Sequence, residues 1–291
     1  MVCPLCSHSD ARPAWLDRIV SHGRTFGYLE CLSCRSLYCE PMPDSDTLAR
    51  MYGPAYAQSF VDEPSVCDPK QPSRVVRWLE ENAPGTFIDY GCGSGSLLAE
   101  AIRLKWRAVG VEFDAEVARA VSAETGARVV SCAEIASLGD CQADMLNLGD
   151  VIEHLTELSR QMPEILRLIK PGGLLLAQGP LEANANLFTI ALRLSRFLRK
   201  PRQSEMAPYH VLLATARGQR QFFPRHGLEE LEYSVDEVDW PAPHRLTLAD
   251  FFRPRAVGLF VLRRVSRSVS ALRPGRWGNR YFYAGRWNGS P

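Results

Sequence analysis

The 291-residue sequence has no apolar run approaching the roughly 20 residues that cross a bilayer; the longest, AVGLFVL, covers only 256–262. Its beginning also lacks the charged-then-apolar pattern of a secretion signal. Its nine cysteines are odd in number, which favours thiols and metal ligands over a disulfide framework, and a cytoplasmic protein is the expectation. The glycine-rich loop GCGSGS is followed by no GK[ST], so it is not a P-loop. Ser96 stands where a nicotinamide or flavin fingerprint needs its third glycine.

A hydrophobic fraction of 46% suits one large globular domain or two modest ones. The net charge of +1 hides an asymmetry: residues 1–186 carry 16 Lys+Arg against 25 Asp+Glu, whereas residues 187–291 carry 18 against 8. A basic C-terminal third attracts phosphate-bearing partners, so nucleotide-linked substrates, lipid phosphates and nucleic acid are all open, beside the plainer reading of solvated helix faces.

Two CxxC pairs stand near the start, Cys3 with Cys6 and Cys31 with Cys34, separated by 24 residues. Each CxxC turn points two sulfurs at one centre, and four thiolates close a tetrahedral shell around zinc with no open position for water or substrate. Such a zinc is structural, and a segment too short to bury its own core takes its folding energy from the metal. Ser7 and Arg35 occupy positions where zinc knuckles often have a turn-forming glycine.

The stretch TFIDYGCGSGSLLAEAI (86–102) reads as a buried strand, a glycine-rich turn and a helix, the first unit of a doubly wound sheet. Glycines at 91, 93 and 95 let the backbone approach a ligand closely, and the helix start favours a carboxylate or phosphate. RAVGVEF then gives a second strand ending in Glu112, an acid placed to accept from both hydroxyls of a ribose. Further strands follow at ARVVS and ADMLNLGD, and a fifth after the KPGG turn; Pro163 sets the start or a kink of the helix before it.

DYGCGSGS, GVEFD, NLGDVIEHL and RLIKPGGLLLAQGP resemble, in order and spacing, the successive motifs of class I S-adenosylmethionine-dependent methyltransferases over residues 85–181. CPLC followed by YLECLSCRSLYCEPMPDSDTLARMYGPAYAQ is similar to the zinc-binding leader and tyrosine-containing lid of bacterial methyltransferases that modify sugars or other secondary metabolites. The resemblance implies an α/β fold: a Rossmann-like, doubly wound, seven-stranded sheet with a small N-terminal zinc ribbon and a helical lid. The expected domains are a ribbon over 1–43, a lid and linker over 44–82, a cofactor-binding core over 83–181, and a substrate-binding insertion with the last strands over 182–291. S-adenosylmethionine and a structural zinc are the implied cofactors. Asp89, Gly91, Cys92 and Gly93 would flank the methionine part, Glu112 would hold the ribose, Phe113 would lie on the adenine, and Asp150 with Val151 would lie near the reacting methyl. Tyr56 or Tyr52 would close over the site. Pro180 is followed by Leu181 where the family commonly has Asn.

Methyl transfer to a hydroxyl gains from a general base, for which histidine is the usual choice near neutral pH. His154, at the end of the fourth strand, and His210, in a segment expected to cover the substrate, are the candidates; Tyr209, Tyr52 and Glu153 are candidates to touch the acceptor. The expected acceptor is a small molecule, bearing phosphate or not, methylated on a sugar or natural-product hydroxyl. C- or N-methylation of a nucleotide-linked deoxysugar or other metabolite is the alternative. A zinc-ribbon RNA-binding module or RNA modifier is the rival from another class; against it, the zinc segment is not strongly basic. LFTIALRLSRFLRK (187–200) sets Leu187, Ile190, Ala191, Leu194, Phe197 and Leu198 on one helical face and Arg193, Arg196, Arg199 and Lys200 elsewhere, which reads as a lid packed on the sheet with a solvated basic face, or as a docking site for a nucleotide, a glycolipid phosphate or a membrane surface.

Overall fold

A computed structural model describes residues 2–52, 73–197, 207–238, 246 and 248–289. The chain divides into two compact units, one of Met1–Met42, Pro180–Phe222 and Tyr233–Tyr281, the other of Pro43–Gly179, Phe223–Glu232 and Phe282–Pro291.

The first unit begins with short antiparallel strands β1 (Ala11–Pro13), β2 (Ile19–Ser21), β3 (Arg24–Cys31) and β4 (Leu37–Glu40), with β3 pairing to the other three. The segment is too small for a large core; Phe26, Cys39 and Val211 form one buried cluster, Leu37, Ala183 and Leu213 another. Both clusters therefore draw residues from beyond position 180.

The second unit opens with helix α1 (Ser45–Met51), capped by Asp44, which accepts from the Thr47 backbone N at 3.0 Å. Helix α2 (Arg74–Glu81) buries Val75, Val76 and Leu79. Strand β5 (Thr86–Tyr90), helix α3 (Ser96–Arg103), strand β6 (Arg107–Glu112), helix α4 (Ala115–Thr125), strand β7 (Arg128–Ser131) and strand β8 (Ala143–Gly149) then alternate as the sequence predicts. Helix α5 (Leu158–Leu166) starts five residues before Pro163 rather than at it; among the first-turn amides, Arg160 and Gln161 share the Glu157 carbonyl. Strand β9 (Ile169–Pro180) begins before KPGG, not after it: Ala143 pairs with Ile169 and Met145 with Leu174, so 170–173 are accommodated as a bulge. β5 through β9 pair in parallel, and their interior residues are buried, as a sheet covered on both faces requires.

Helix α6 (Leu187–Phe197), strand β10 (Leu212–Leu213), helix α7 (Ala216–Phe222), strand β11 (Leu228–Asp236), helix α8 (Pro254–Leu272) and strand β12 (Arg280–Trp287) complete the described elements. β10 pairs with β4, so this late segment joins the ribbon sheet. Pro254 opens α8 at its first turn, where its missing N–H leaves no bond unmade. The large sheet has the order β11-β12-β9-β8-β5-β6-β7. The order reverses between β5 and β8, and the crevice beyond the carboxyl ends of those strands is where such sheets bind ligands.

A lid packed on the sheet would bury the aliphatic face of α6, but Ile190 is 38% and Leu194 60% exposed while Thr189 is buried; Leu198 lies outside the described residues. The helix packs on α8 through Phe188, whose ring lies under the Arg263 guanidinium at 4.4 Å.

Candidate functional site

In the second unit the glycine turn continues β5. Gly91 N and Cys92 N both donate to the Val111 carbonyl, at 2.8 and 3.1 Å, which binds the turn to β6. Gly91 adopts φ +78°, and a Cβ there would come within 2.6 Å of Val151 Cγ2, so no other residue fits without displacing the loop after β8. At Gly93 a Cβ would meet nothing within 4 Å, leaving that stretch of backbone open to a ligand. Cys92 points the other way: its side chain is buried in the core beneath the sheet edge, and burial beside Asp89 and Glu112 pushes its thiol up. It can offer a ligand its backbone alone.

Glu112, at the end of β6, accepts from Gly93 N at 2.9 Å through one oxygen and from Phe113 N at 2.7 Å through the other. The two bonds fix the carboxylate between the loop and the strand end, and each oxygen keeps a further lone pair for a hydroxyl. Asp89 is 3% exposed at the end of β5 and accepts from Asn147 Nδ2 at 2.8 Å. Burial pushes its carboxyl up to about 7, against the Asn147 bond and with the Glu112 charge adding to the rise.

Asp150 and Val151 follow β8. Asp150 takes φ +54° and donates its N–H to the Gln178 carbonyl at 2.9 Å, which turns the chain sharply at the crevice. Beyond it, Glu153 is buried and His154 half-buried. His154 Nδ1 lies 2.7 Å from the Tyr52 hydroxyl, and the Tyr52 ring packs on the half-exposed Phe113 ring at 5.3 Å between centroids. Phe113, Tyr52 and His154, expected from three separate segments, thus form one aromatic series at the carboxyl edge. Tyr56 lies outside the described residues.

In the first unit His210 Nδ1 stands 2.7 Å from Glu182 Oε2, and its carbonyl accepts from the Tyr28 hydroxyl at 2.6 Å. A carboxylate can only accept, so in the neutral ring the pair places the proton on Nδ1 and the lone pair on Nε2. Tyr209 lines a cleft of about 420 Å³ with Val20, Ser21, His22 and Ala207. The four cysteines converge: Cys3 Sγ lies 3.6 Å from Cys34 Sγ, Cys6 Sγ lies 3.5 Å from Cys31 Sγ, and all four are within 4.8 Å of one another. A tetrahedron of Zn–S bonds of about 2.3 Å requires sulfurs about 3.8 Å apart, so the donor set and its spacing fit zinc. Ser7 and Arg35 turn the knuckles with φ of +57° and +67°, the conformation for which glycine is common. His8 pairs with Asp10 and is not among the converging sulfurs.

Residues 88–177 match a family model described as a methyltransferase domain. Over that stretch the chain is similar to a methyltransferase domain, and its seven-stranded sheet has the Rossmann-like order of that fold. The chain is 34% identical over 121 residues to a ribosomal protein L11 methyltransferase of Photobacterium profundum, covering 39% of this chain and 40% of that protein. It is 26% identical over 160 residues to a ubiquinone biosynthesis O-methyltransferase of Brucella ovis, covering 53% of this chain and 58% of that one. The chain thus spans about half the length of these curated relatives. A chain of the solved complex between the Haloferax volcanii Trm112 methyltransferase activator and a methyltransferase aligns at 16% identity and TM-score 0.50, over 80% of this chain and 92% of that one; this likeness concerns the fold alone.

The residues around the methyltransferase domain's loop fit its cofactor: open backbone at Gly93, an anchored carboxylate at Glu112 and an exposed ring at Phe113. Asn147, Glu182 and Tyr28 were not legible as site residues. Asn147 looks like one polar interruption in an apolar strand, which is itself the available signal, since a central parallel strand buries both faces.

Proposed function

We propose that the chain transfers a methyl group from S-adenosylmethionine to a small-molecule hydroxyl, most simply on a sugar or natural product, with zinc held by Cys3, Cys6, Cys31 and Cys34 as a structural ion. The single observation that carries this reading is the Glu112 carboxylate fastened to Gly93 N at 2.9 Å, beside a loop with room for a ligand. When bound, the cofactor supplies an electrophilic methyl for in-line displacement. Glu112 accepts from the ribose hydroxyls, the backbone of Gly91, Cys92 and Gly93 borders the methionine part, and Phe113 offers its face to the adenine. Asp150 and Val151 form the wall near the acceptor, with Tyr52 covering it and excluding water.

The acceptor hydroxyl must give up a proton. His210 is the better base on chemical grounds, because Glu182 fixes its tautomer with Nε2 able to accept. His154 does the same only when its Nδ1–H donates to Tyr52; with Tyr52 as donor, His154 is an orienting group. Mass spectrometry of candidate metabolites incubated with the protein and isotopically labelled cofactor tests the reading. A labelled O-methyl product supports it, a labelled C- or N-methyl product moves it to the alternative acceptor atom, and no labelled product from metabolites that are bound refutes it.

A further inference from the structure

Helices α6 and α8 have their amphipathicity turned inside out. On α8 the buried positions are Arg263, Ser266 and Ser270, with Arg263 paired to the buried Glu237 at 2.9 Å. Leu187 N, at the start of α6, donates to Ser266 Oγ at 3.3 Å, so polar groups join the helices. Large apolar side chains stand among the outward positions: on α8 Val261 is 52%, Val265 48% and Leu272 81% exposed, and Leu194 of α6 is 60% exposed. Val261 and Val265 share a helical stripe that Leu272 extends. The turn before α8 adds Phe251 at 63% and Phe252 at 90% exposed. Monomeric proteins rarely leave so many large apolar side chains together in water, and such a face marks an interaction site.

The charge around this face selects its partner. Residues 251–276 hold seven arginines and no Asp or Glu, and Arg253, Arg255, Arg264, Arg267 and Arg273 are exposed. A second copy meeting this face through itself would bring arginine rows against each other. Aromatic and aliphatic side chains among arginines match instead the acyl boundary and headgroups of an anionic bilayer. No helix among the described residues is long and apolar enough to cross a membrane, so the contact is interfacial.

We propose that α6, α8 and the Phe251–Phe252 turn form a docking face for an anionic lipid surface. The proposal is independent of the methyl-transfer reading. The test is sedimentation of the full chain with vesicles of phosphatidylcholine alone and with about 30% phosphatidylglycerol, at low and at physiological salt. Binding to the anionic vesicles, weakened by salt and reduced at least about tenfold by Phe251→Ser with Phe252→Ser, is the expected result. Both side chains are exposed, so an unchanged circular dichroism spectrum and melting point in the double variant certify its fold. Arg264→Gln with Arg273→Gln should weaken binding to the anionic vesicles at low salt and make what remains less sensitive to salt. No partition onto anionic vesicles at low salt overturns the proposal, as does partition that the phenylalanine changes leave intact. Concentration-dependent dimerisation lost in the phenylalanine variant, without vesicle binding, would assign the face to a second copy instead.

Discussion

Asn147 of β8 donates to Asp89 of β5 at 2.8 Å, across the neighbouring strands between which the sheet order reverses, with both side chains at most 3% exposed. The bond tempers a carboxyl that burial nevertheless pushes from 3.8 up to about 7. Because the folded state keeps this proton to higher pH than the unfolded chain, Asp89 favours folding below about pH 4, and its contribution is lost as pH rises through 7. Urea denaturation between pH 4 and 8 should show Asp89→Asn removing a fall of a few kcal/mol that the wild type displays. Identical slopes in the two proteins would contradict the assignment.

Glu182→Gln should lower turnover about 100-fold with little change in cofactor affinity, because an amide can donate to His210 Nδ1 and move the proton to Nε2. His210→Gln should cost at least as much. Tyr52→Phe and His154→Gln, measured alongside, identify which histidine takes the proton: a larger loss of kcat at His154 would transfer the role to it.

The ribbon is tied to the segment that carries His210. Thr215 Oγ1 donates to the Cys34 carbonyl at 2.7 Å, Thr215 N donates to Ser36 Oγ at 3.0 Å, and a Cβ at Gly218 would strike Ser36 Oγ at 2.3 Å. Removing zinc with a chelator should therefore raise amide exchange in β3 and β4 and in 207–222 together. Exchange confined to the ribbon would show that the two are not coupled.

Ser7→Gly should stabilise the knuckle, since Ser7 holds φ +57° at a cost of about 1 kcal/mol that glycine does not bear. The expected outcome is a higher melting temperature and tighter zinc retention. Arg35→Gly should gain less, because it also removes the 2.8 Å ion pair with buried Glu30.

The alternation of β5 to β9, the glycine turn and the convergence of four cysteines were legible because each is written locally, as a run, a turn or a spacing. The pairs Asn147–Asp89, Glu182–His210 and Tyr52–His154 were not, since each joins positions 28 to 102 residues apart and only the folded sheet brings them together. The aliphatic stripe of α6 was legible as a stripe, but periodicity finds a stripe without saying what it faces, so a packed lid and an outward face were both open.

The central claim is that the loop at 91–93 and Glu112 hold S-adenosylmethionine, and calorimetric titration of the cofactor into the full chain tests it most directly. The account predicts one site per chain, weakened at least about tenfold by Glu112→Ala. No binding heat at any temperature tried, or binding that Glu112→Ala leaves unchanged, would contradict it.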